Sequence, residues 1–330
     1  MSDFARSPIN SSGPIYTHTS GRTPQLEAIS RLLKVSVKPF LWTWSKTWFL
    51  PWPTGLVDHL GRVLARDADV ETAAVQLPNC SAQLYSPKNL DSDRLVLYFH
   101  GGAFLVGGNH LHRQMISRFS TELATRVLAV GYRKMPRHSL LAAMDDCLDA
   151  YRYALSQGIS PDRIVFMGDS AGGYLALVAA MQTKSAGLPM PAAIVAMSPL
   201  TDWDHTTKVE AVTAGQCAVL PRSAVAAFTR AVRRYGDGSV ELISPSQSEL
   251  TGLPPTLIQA GSREMLYPDA VAVAERLAQH DVSCELQTWD TNVHVFQAAA
   301  SIAPEAAHAV RSAVAFIDRI VHRVQRREAS

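Results

Sequence analysis

The sequence predicts an α/β fold built on a mostly parallel central sheet with helices on both faces. Two observations carry this reading. Short apolar runs bounded by turn residues alternate with longer segments of helical period, and a serine flanked by glycines stands where one such run passes into a helix.

The runs fall at 94–99, 126–132, 163–167, 193–197, 256–260 and 284–289. The first five are apolar nearly throughout, which is the pattern of strands covered on both faces, while 284–289 is a shorter apolar pattern bounded by turn residues. Helical period occupies about 112–125, 140–157, 171–185, 268–280 and 303–324. A strand that leads through a helix to the next strand implies parallel neighbours joined by crossovers. Earlier in the chain, 73–77 and 82–85 read as an antiparallel hairpin at the sheet edge.

Two segments stand outside the alternation, at 23–66 and at about 203–238, and both are helical in pattern. The first carries Trp42, Trp44, Trp48 and Trp52. The second follows a strand end, where α/β sheets build their ligand crevice. Together they are expected to form a helical cap, with 67–330 as the body that carries the chemistry. The alternative is that the Trp-rich helix only packs on the core. Residues 1–22 are polar, lack the charged-then-apolar order of a secretory signal, and are expected to be a flexible lead-in. The most apolar stretch, about 35–52, is interrupted by Lys38, Pro39 and Lys46, so no integral membrane span is expected.

Composition excludes some classes of partner. The chain has 330 residues, 47% of them hydrophobic and 18% charged, which is enough apolar material for a sizeable core. Its 31 Lys and Arg against 29 Asp and Glu leave a net charge of only +2, which gives no reason to expect nucleic acid. Cys80, Cys147, Cys217 and Cys284 form no C-x-x-C pair. They suggest neither a zinc site nor a disulfide framework and fit a reducing, cytoplasmic setting.

The sharpest local signal is Gly168-Asp169-Ser170-Ala171-Gly172, which directly follows a predicted strand and directly precedes a predicted helix. That is the setting of a nucleophile elbow, where the chain reverses so tightly that side chains larger than glycine's collide two residues either side of the serine. About seventy residues earlier, His100-Gly101-Gly102-Ala103 follows another strand. The N–H groups of Gly101 and Gly102, with that of Ala171 at a helix N-terminus, are the expected oxyanion-hole donors.

The base has to come from downstream, because this arrangement runs serine, acid, histidine in chain order. His294, on the loop after the last strand, is the choice, and His205 in the second non-alternating segment is its rival. His100, His110 and His112 lie close in sequence, but no third ligand has a convincing spacing, so no metal and no cofactor are expected. For the acid, Glu264 sits just past the strand ending near Ala260. Asp269 follows Pro268 at a helix start, where an acidic residue complements the dipole, and Asp290 lies four residues before His294. Glu264 is preferred, with the other two as alternatives.

From about 82 to 296 the chain resembles the bacterial hormone-sensitive-lipase-like esterases. The resemblance rests on His100-Gly-Gly-Ala-Phe104, Tyr132-Arg133 with Pro136, Gly168-Asp-Ser-Ala-Gly-Gly173, Ser198-Pro199 with Asp202, Gly252-Leu-Pro-Pro255 and Val293-His294-Val295-Phe296. It implies an α/β-hydrolase fold with an N-terminal cap, no cofactor, and small-molecule esters with short to medium acyl chains as substrates. Related esterases often pair through the last strand and its neighbouring helix, so a homodimer is one option and the oligomeric state is left open. Arg137-His138-Ser139 departs from the family's usual Glu-His-Pro. Gly261-Ser-Arg-Glu264 replaces the common acidic motif with a glutamate version that some members carry, which supports Glu264. The expected function is a serine carboxylesterase acting through an acyl-enzyme on Ser170. Lactonase, amidase and deacetylase activities share the same triad, and a non-catalytic ligand receptor on this fold is the alternative of another class; retention of His294 argues against that receptor.

Overall fold

The structure, a computed structural model, describes residues 13–50, 70–235 and 242–328. Its strands, in chain order, are β1 (Ile15–Thr19), β2 (Val70–Gln76), β3 (Ser81–Pro87), β4 (Leu95–Phe99), β5 (Arg126–Gly131), β6 (Ile164–Asp169), β7 (Ala193–Met197), β8 (Thr256–Gly261) and β9 (Cys284–Trp289). They form one sheet in the order β1-β9-β8-β7-β6-β4-β5-β3-β2. Only the pairings of β3 with β2 and with β5 are antiparallel. The longer helices are α1 (Pro24–Val35), α2 (Val37–Thr47), α3 (Arg113–Glu122), α4 (Leu140–Ser156), α5 (Ala171–Ser185), α8 (Arg222–Tyr235), α9 (Tyr267–Gln279) and α10 (Pro304–Glu328), with the short α6 (Thr206–Glu210) and α7 (Val212–Gln216) before α8.

The continuous apolar runs are explained by burial on both sides. In β4, Leu95, Leu97 and Phe99 join the core on one face while Val96 and Tyr98 join the core on the other; in β6, Ile164 and Phe166 are set against Val165 and Met167 in the same way. With period-two side chains and helices on both faces, both sides of these strands favour apolar residues along their length, and the polar exception, Asp169 at the end of β6, is buried with its oxygens hydrogen-bonded. Between β5 and β6 the chain hops over β4, and from there the strands step outward to β9. The strand order therefore reverses between β4 and β6, and parallel sheets bind ligands outside the C-terminal ends of the strands at such a reversal.

The N-terminal reading needs correction. Residues 15–19, expected to be flexible, form β1, which pairs in parallel with β9 from Ile15 opposite Glu285 to Thr19 opposite Trp289. The segment is mostly solvent-exposed, so it is held by the backbone ladder and by Tyr16 and His18 meeting the Thr288 hydroxyl at 3.1 and 2.9 Å. Because β1 covers β9, edge-to-edge pairing of two copies through β9 would first have to displace β1. Residues 1–12 and 51–66 of the lead-in and cap readings, Trp52 included, and 236–238 of the insertion, lie outside the described residues.

The two non-alternating segments meet. Ser45 of α2 bonds the Ser223 hydroxyl at 2.7 Å, the Lys38 ammonium donates to the Cys217 carbonyl at 2.6 Å, and Trp48 packs edge-on against Tyr235. α1 is tied down separately: Thr23 and its N–H bond Glu305, and Ser30 donates to Asn292 at 2.9 Å. The insertion is locked to the body by a buried ion pair, Lys208 to Asp269 at 2.7 Å. Asp269 also accepts from the N–H groups of Thr201 and Asp202 at 2.7 and 3.1 Å. Its place in the first turn of α9 is thus more than dipole complementation. Removing one partner strands the other charge in a dry site, so Asp269→Asn is expected to cost about 3–5 kcal/mol of stability. Adding Lys208→Met should restore much of the loss. Denaturant unfolding checks this, and an unchanged midpoint in the single variant would contradict it.

Candidate active site

Two strand ends and two loops supply the site. Ser170 follows β6 and opens α5 with φ of +54°, a left-handed conformation that a serine rarely adopts. Its N–H donates to the Met197 carbonyl at 2.8 Å, which holds the turn. Gly172 has to lack a side chain because a Cβ there would run into the Phe99 carbonyl at the end of β4. The elbow is therefore pressed directly against the neighbouring strand, and Ser170 lines the crevice.

His294 Nε2 lies 2.8 Å from Ser170 Oγ, and its Nδ1 lies 2.6 Å from Glu264 Oε2. Glu264 is fully buried. Its other oxygen, Oε1, accepts from the Ser198 hydroxyl at 2.7 Å and from the Gly261 N–H at 2.9 Å, so a buried carboxylate is satisfied on both oxygens. Ser198 Oγ in turn accepts from the Val295 N–H at 3.2 Å, tying the residue after the histidine to the same carboxylate. The competing candidates sort cleanly. Asp269 is spent on Lys208, and Asp290 pairs with Arg263 at 2.7 Å. His205 begins α6, and His294 is the one that reaches Ser170.

The glycine loop after β4 differs from the expectation at one position. The Gly101 N–H points at Asp169 Oδ1, 3.0 Å away, and is unavailable to an oxyanion. Asp169 also accepts from the Tyr98 hydroxyl at 2.6 Å and lies 3.4 Å from His112 Nε2. Burial alone would raise its carboxyl, but the neighbouring His112, with the Tyr98 and Gly101 donors, outweighs that and holds it below the usual carboxylate range. The N–H groups of Gly102, Ala103 and Ala171 have no acceptor among the described residues. Ala103 and Ala171 line the same crevice as Ser170. The loop shifts by one residue from the expected register because Asp169, the residue beside the nucleophile, consumes the first donor.

Several local devices fix that loop. Gly102 adopts φ of +114°, and a Cβ there would strike the Val106 carbonyl. Ala103 and Phe104 follow with φ of +56° and +54°. Phe104 is fully buried, stacked on Phe228 with ring centroids 5.9 Å apart and edge-on to Tyr174 at 5.6 Å. His100 is no base: burial pushes its imidazole well below the ordinary range, its Nδ1 donates to the Gly101 carbonyl at 2.6 Å, and Tyr132 stacks on it. Sequence reasoning missed Asp169, Ser198 and Ala103. Asp169 and Ala103 sit inside the motifs already singled out, so the signal was adjacent, while Ser198 was visible only through its resemblance motif.

Above Ser170 the crevice is walled by Leu41 and Trp44 of α2 and by Ala224, Val225 and Phe228 of α8. Its lining is apolar apart from the serine. Asn292, in the loop that carries His294, donates to the Gln216 carbonyl at 2.9 Å and accepts from Ser30, so the histidine loop is stitched to both overlying segments.

Comparison with known proteins agrees with this architecture. A family described as having the alpha/beta hydrolase fold matches residues 96–298. Esterase LipU of Mycobacterium tuberculosis is 40% identical over 84% of this chain and 96% of its own length. Carboxylesterase/phospholipase LipF of the same organism is 36% identical over 95% of this chain and 90% of its own. Among solved structures, an esterase from the bacterial hormone-sensitive lipase family superposes with a TM-score of 0.80 at 28% identity, over 91% of this chain and 99% of that one. A fold with Ser170, Glu264 and His294 in that chain order, and matches of this length, lead to one assignment: the chain belongs to the α/β-hydrolase fold family, among the hormone-sensitive-lipase-like esterases.

Proposed function

We propose that the protein is a serine carboxylesterase that hydrolyses small-molecule carboxylic esters through an acyl-enzyme on Ser170. The observation that carries this reading is the unbroken chain from Ser170 Oγ to His294 at 2.8 Å and from His294 to the buried Glu264 at 2.6 Å. A binding protein has no use for a base in contact with a serine hydroxyl at the floor of a crevice.

In the first step Ser170 Oγ attacks the ester carbonyl while its proton passes to His294 Nε2. The imidazolium that forms is stabilised by Glu264, which also holds the ring with Nδ1 protonated. Negative charge on the carbonyl oxygen falls to the N–H groups of Gly102, Ala103 and Ala171, the last at the positive end of α5. Each such donor is worth roughly 3 kcal/mol in the transition state. Collapse returns the carbonyl, His294 gives its proton to the departing alcohol, and the ester bond is replaced by an acyl-serine. Water then repeats the sequence: His294 takes its proton, the hydroxyl adds to the acyl carbon, and Ser170 leaves as its hydroxyl re-forms.

The apolar lining of the crevice suits the acyl chain. α2 and α8 serve as the cap, with Leu41, Trp44 and Phe228 as the surface that the chain meets. We assign the protein to the cytoplasm, where four buried, unpaired cysteines are suited to a reducing medium. Among the described residues no helix is long and apolar enough to cross a membrane.

Ser170→Ala should abolish hydrolysis of nitrophenyl butyrate, while Glu264→Gln should lower kcat by roughly four orders of magnitude in a folded protein, by analogy with serine proteases. Asp290→Asn should stay near the parent. Steady-state kinetics on the three purified variants decides the matter, and substantial turnover by Ser170→Ala would sink the mechanism. For the cap, Trp44→Ala enlarges the acyl wall, so the ratio of kcat/KM for octanoyl over butyryl esters should rise about tenfold. An unchanged ratio would remove Trp44 from the acyl site.

A further inference from the structure

The charge of this protein is unevenly placed. Helices α1, α2 and α8 carry eight basic residues against one acidic residue, Glu27, a balance of +7 within a chain whose total is +2. The rest of the molecule therefore carries −5. Two of the cations are internally committed: Arg31 pairs with Glu27 at 3.3 Å, and Lys38 turns inward to the Cys217 carbonyl. Lys34, Lys46, Arg222, Arg230, Arg233 and Arg234 are exposed.

The same helices expose large apolar side chains. Leu32 and Val35, three residues apart on α1, are 62% and 74% exposed, and Trp42 on α2 is 53% exposed. Phe49 and Leu50, just past α2, are exposed as well. Lys46, one turn beyond Trp42, lies over its ring at 5.6 Å, and Arg234 of α8 lies over Trp48 at 5.9 Å. α2 is thus two-sided: Leu41 and Trp44 line the crevice over Ser170, while Trp42 and Lys46 face outward.

We propose that the outer face of α1, α2 and α8 docks on an anionic lipid bilayer. Exposed tryptophan and aliphatic side chains interleaved with lysine and arginine are the composition of a helix lying in a membrane interface, where the rings sit at headgroup level and the cations meet lipid phosphates. A polyanion such as nucleic acid accounts for the arginines but gives Leu32 and Val35 nothing to do. A second copy of the chain would set this positive face against its own like-charged twin. Docked this way, the protein holds the acyl crevice on the inner side of the very helix that touches lipid, so lipid-borne esters have a short path to it. Docking itself does not rest on the reading of Ser170 as nucleophile.

The experiment uses full-length Ser170→Ala protein, so that no hydrolysis alters the vesicles. Flotation with vesicles of phosphatidylcholine alone is compared with vesicles of phosphatidylcholine and phosphatidylglycerol in equal amounts. Binding is expected on the mixed vesicles, weakening as salt is raised, and weak on the neutral ones. Trp42→Ser should lower partitioning about tenfold, and Arg233→Glu, which changes the charge by two, should lower it by more than the factor of about five that loss of one basic residue produces. In the otherwise unaltered enzyme both substitutions should leave hydrolysis of water-soluble nitrophenyl acetate intact, which shows that the fold survives. Three results would overturn the proposal: no binding to the mixed vesicles, equal binding to duplex DNA that Trp42→Ser leaves untouched, or a concentration-dependent dimer that Trp42→Ser dissociates.

Discussion

The contact on which the site depends is the one between Gly172 and the Phe99 carbonyl, where the first turn of α5 is pressed onto the end of β4. It accompanies the left-handed turn at Ser170 and brings the start of the β4 loop alongside. Ala103 and Ala171 line one crevice with Ser170 because those two strand ends are that close. The strain of such a turn is carried by its surroundings: the Ser170 N–H bond to Met197 and the helix behind it, buried from Ala171 to Ala180.

A second layer of constraint runs through carboxylates. Asp169 and Glu264 are both buried, and both spend their oxygens on neighbouring hydroxyl and N–H groups. Asp169 anchors the glycine loop and Glu264 anchors the histidine, so the two halves of the site are each referenced to a fixed negative group. Asp269 plays the corresponding part for the insertion through Lys208. Because Asn292 links the histidine loop to α1 and to the end of α7, movement of the overlying helices is felt at His294.

Much of this was legible in the sequence, for physical reasons that also explain what was not. The central strands β4 to β7 announce themselves because both faces demand apolar residues, and the elbow because only glycine fits where backbone meets backbone. Glu264 was legible because its position after β8 leaves few alternatives. β1 was hidden: Ile15-Tyr-Thr-His-Thr19 is an exposed edge whose order comes from main-chain pairing with a strand about 270 residues away. Which N–H of the glycine loop stays free was hidden too, since it depends on Asp169, brought in from β6. The burial of Asp269 required knowing that Lys208 arrives from an insertion sixty-one residues earlier.

The central claim is that Ser170 becomes covalently acylated because His294 and Glu264 make it a nucleophile. Rapid acid quenching during turnover of a slowly deacylated nitrophenyl ester, followed by peptide mass mapping, observes that intermediate directly. The expected result is a single acyl adduct on the peptide containing Ser170, absent when Glu264 is replaced by glutamine and the quench is made at the same time. An adduct on a different residue, or steady turnover with the acyl group never found on Ser170 under conditions where deacylation limits the rate, would contradict the account.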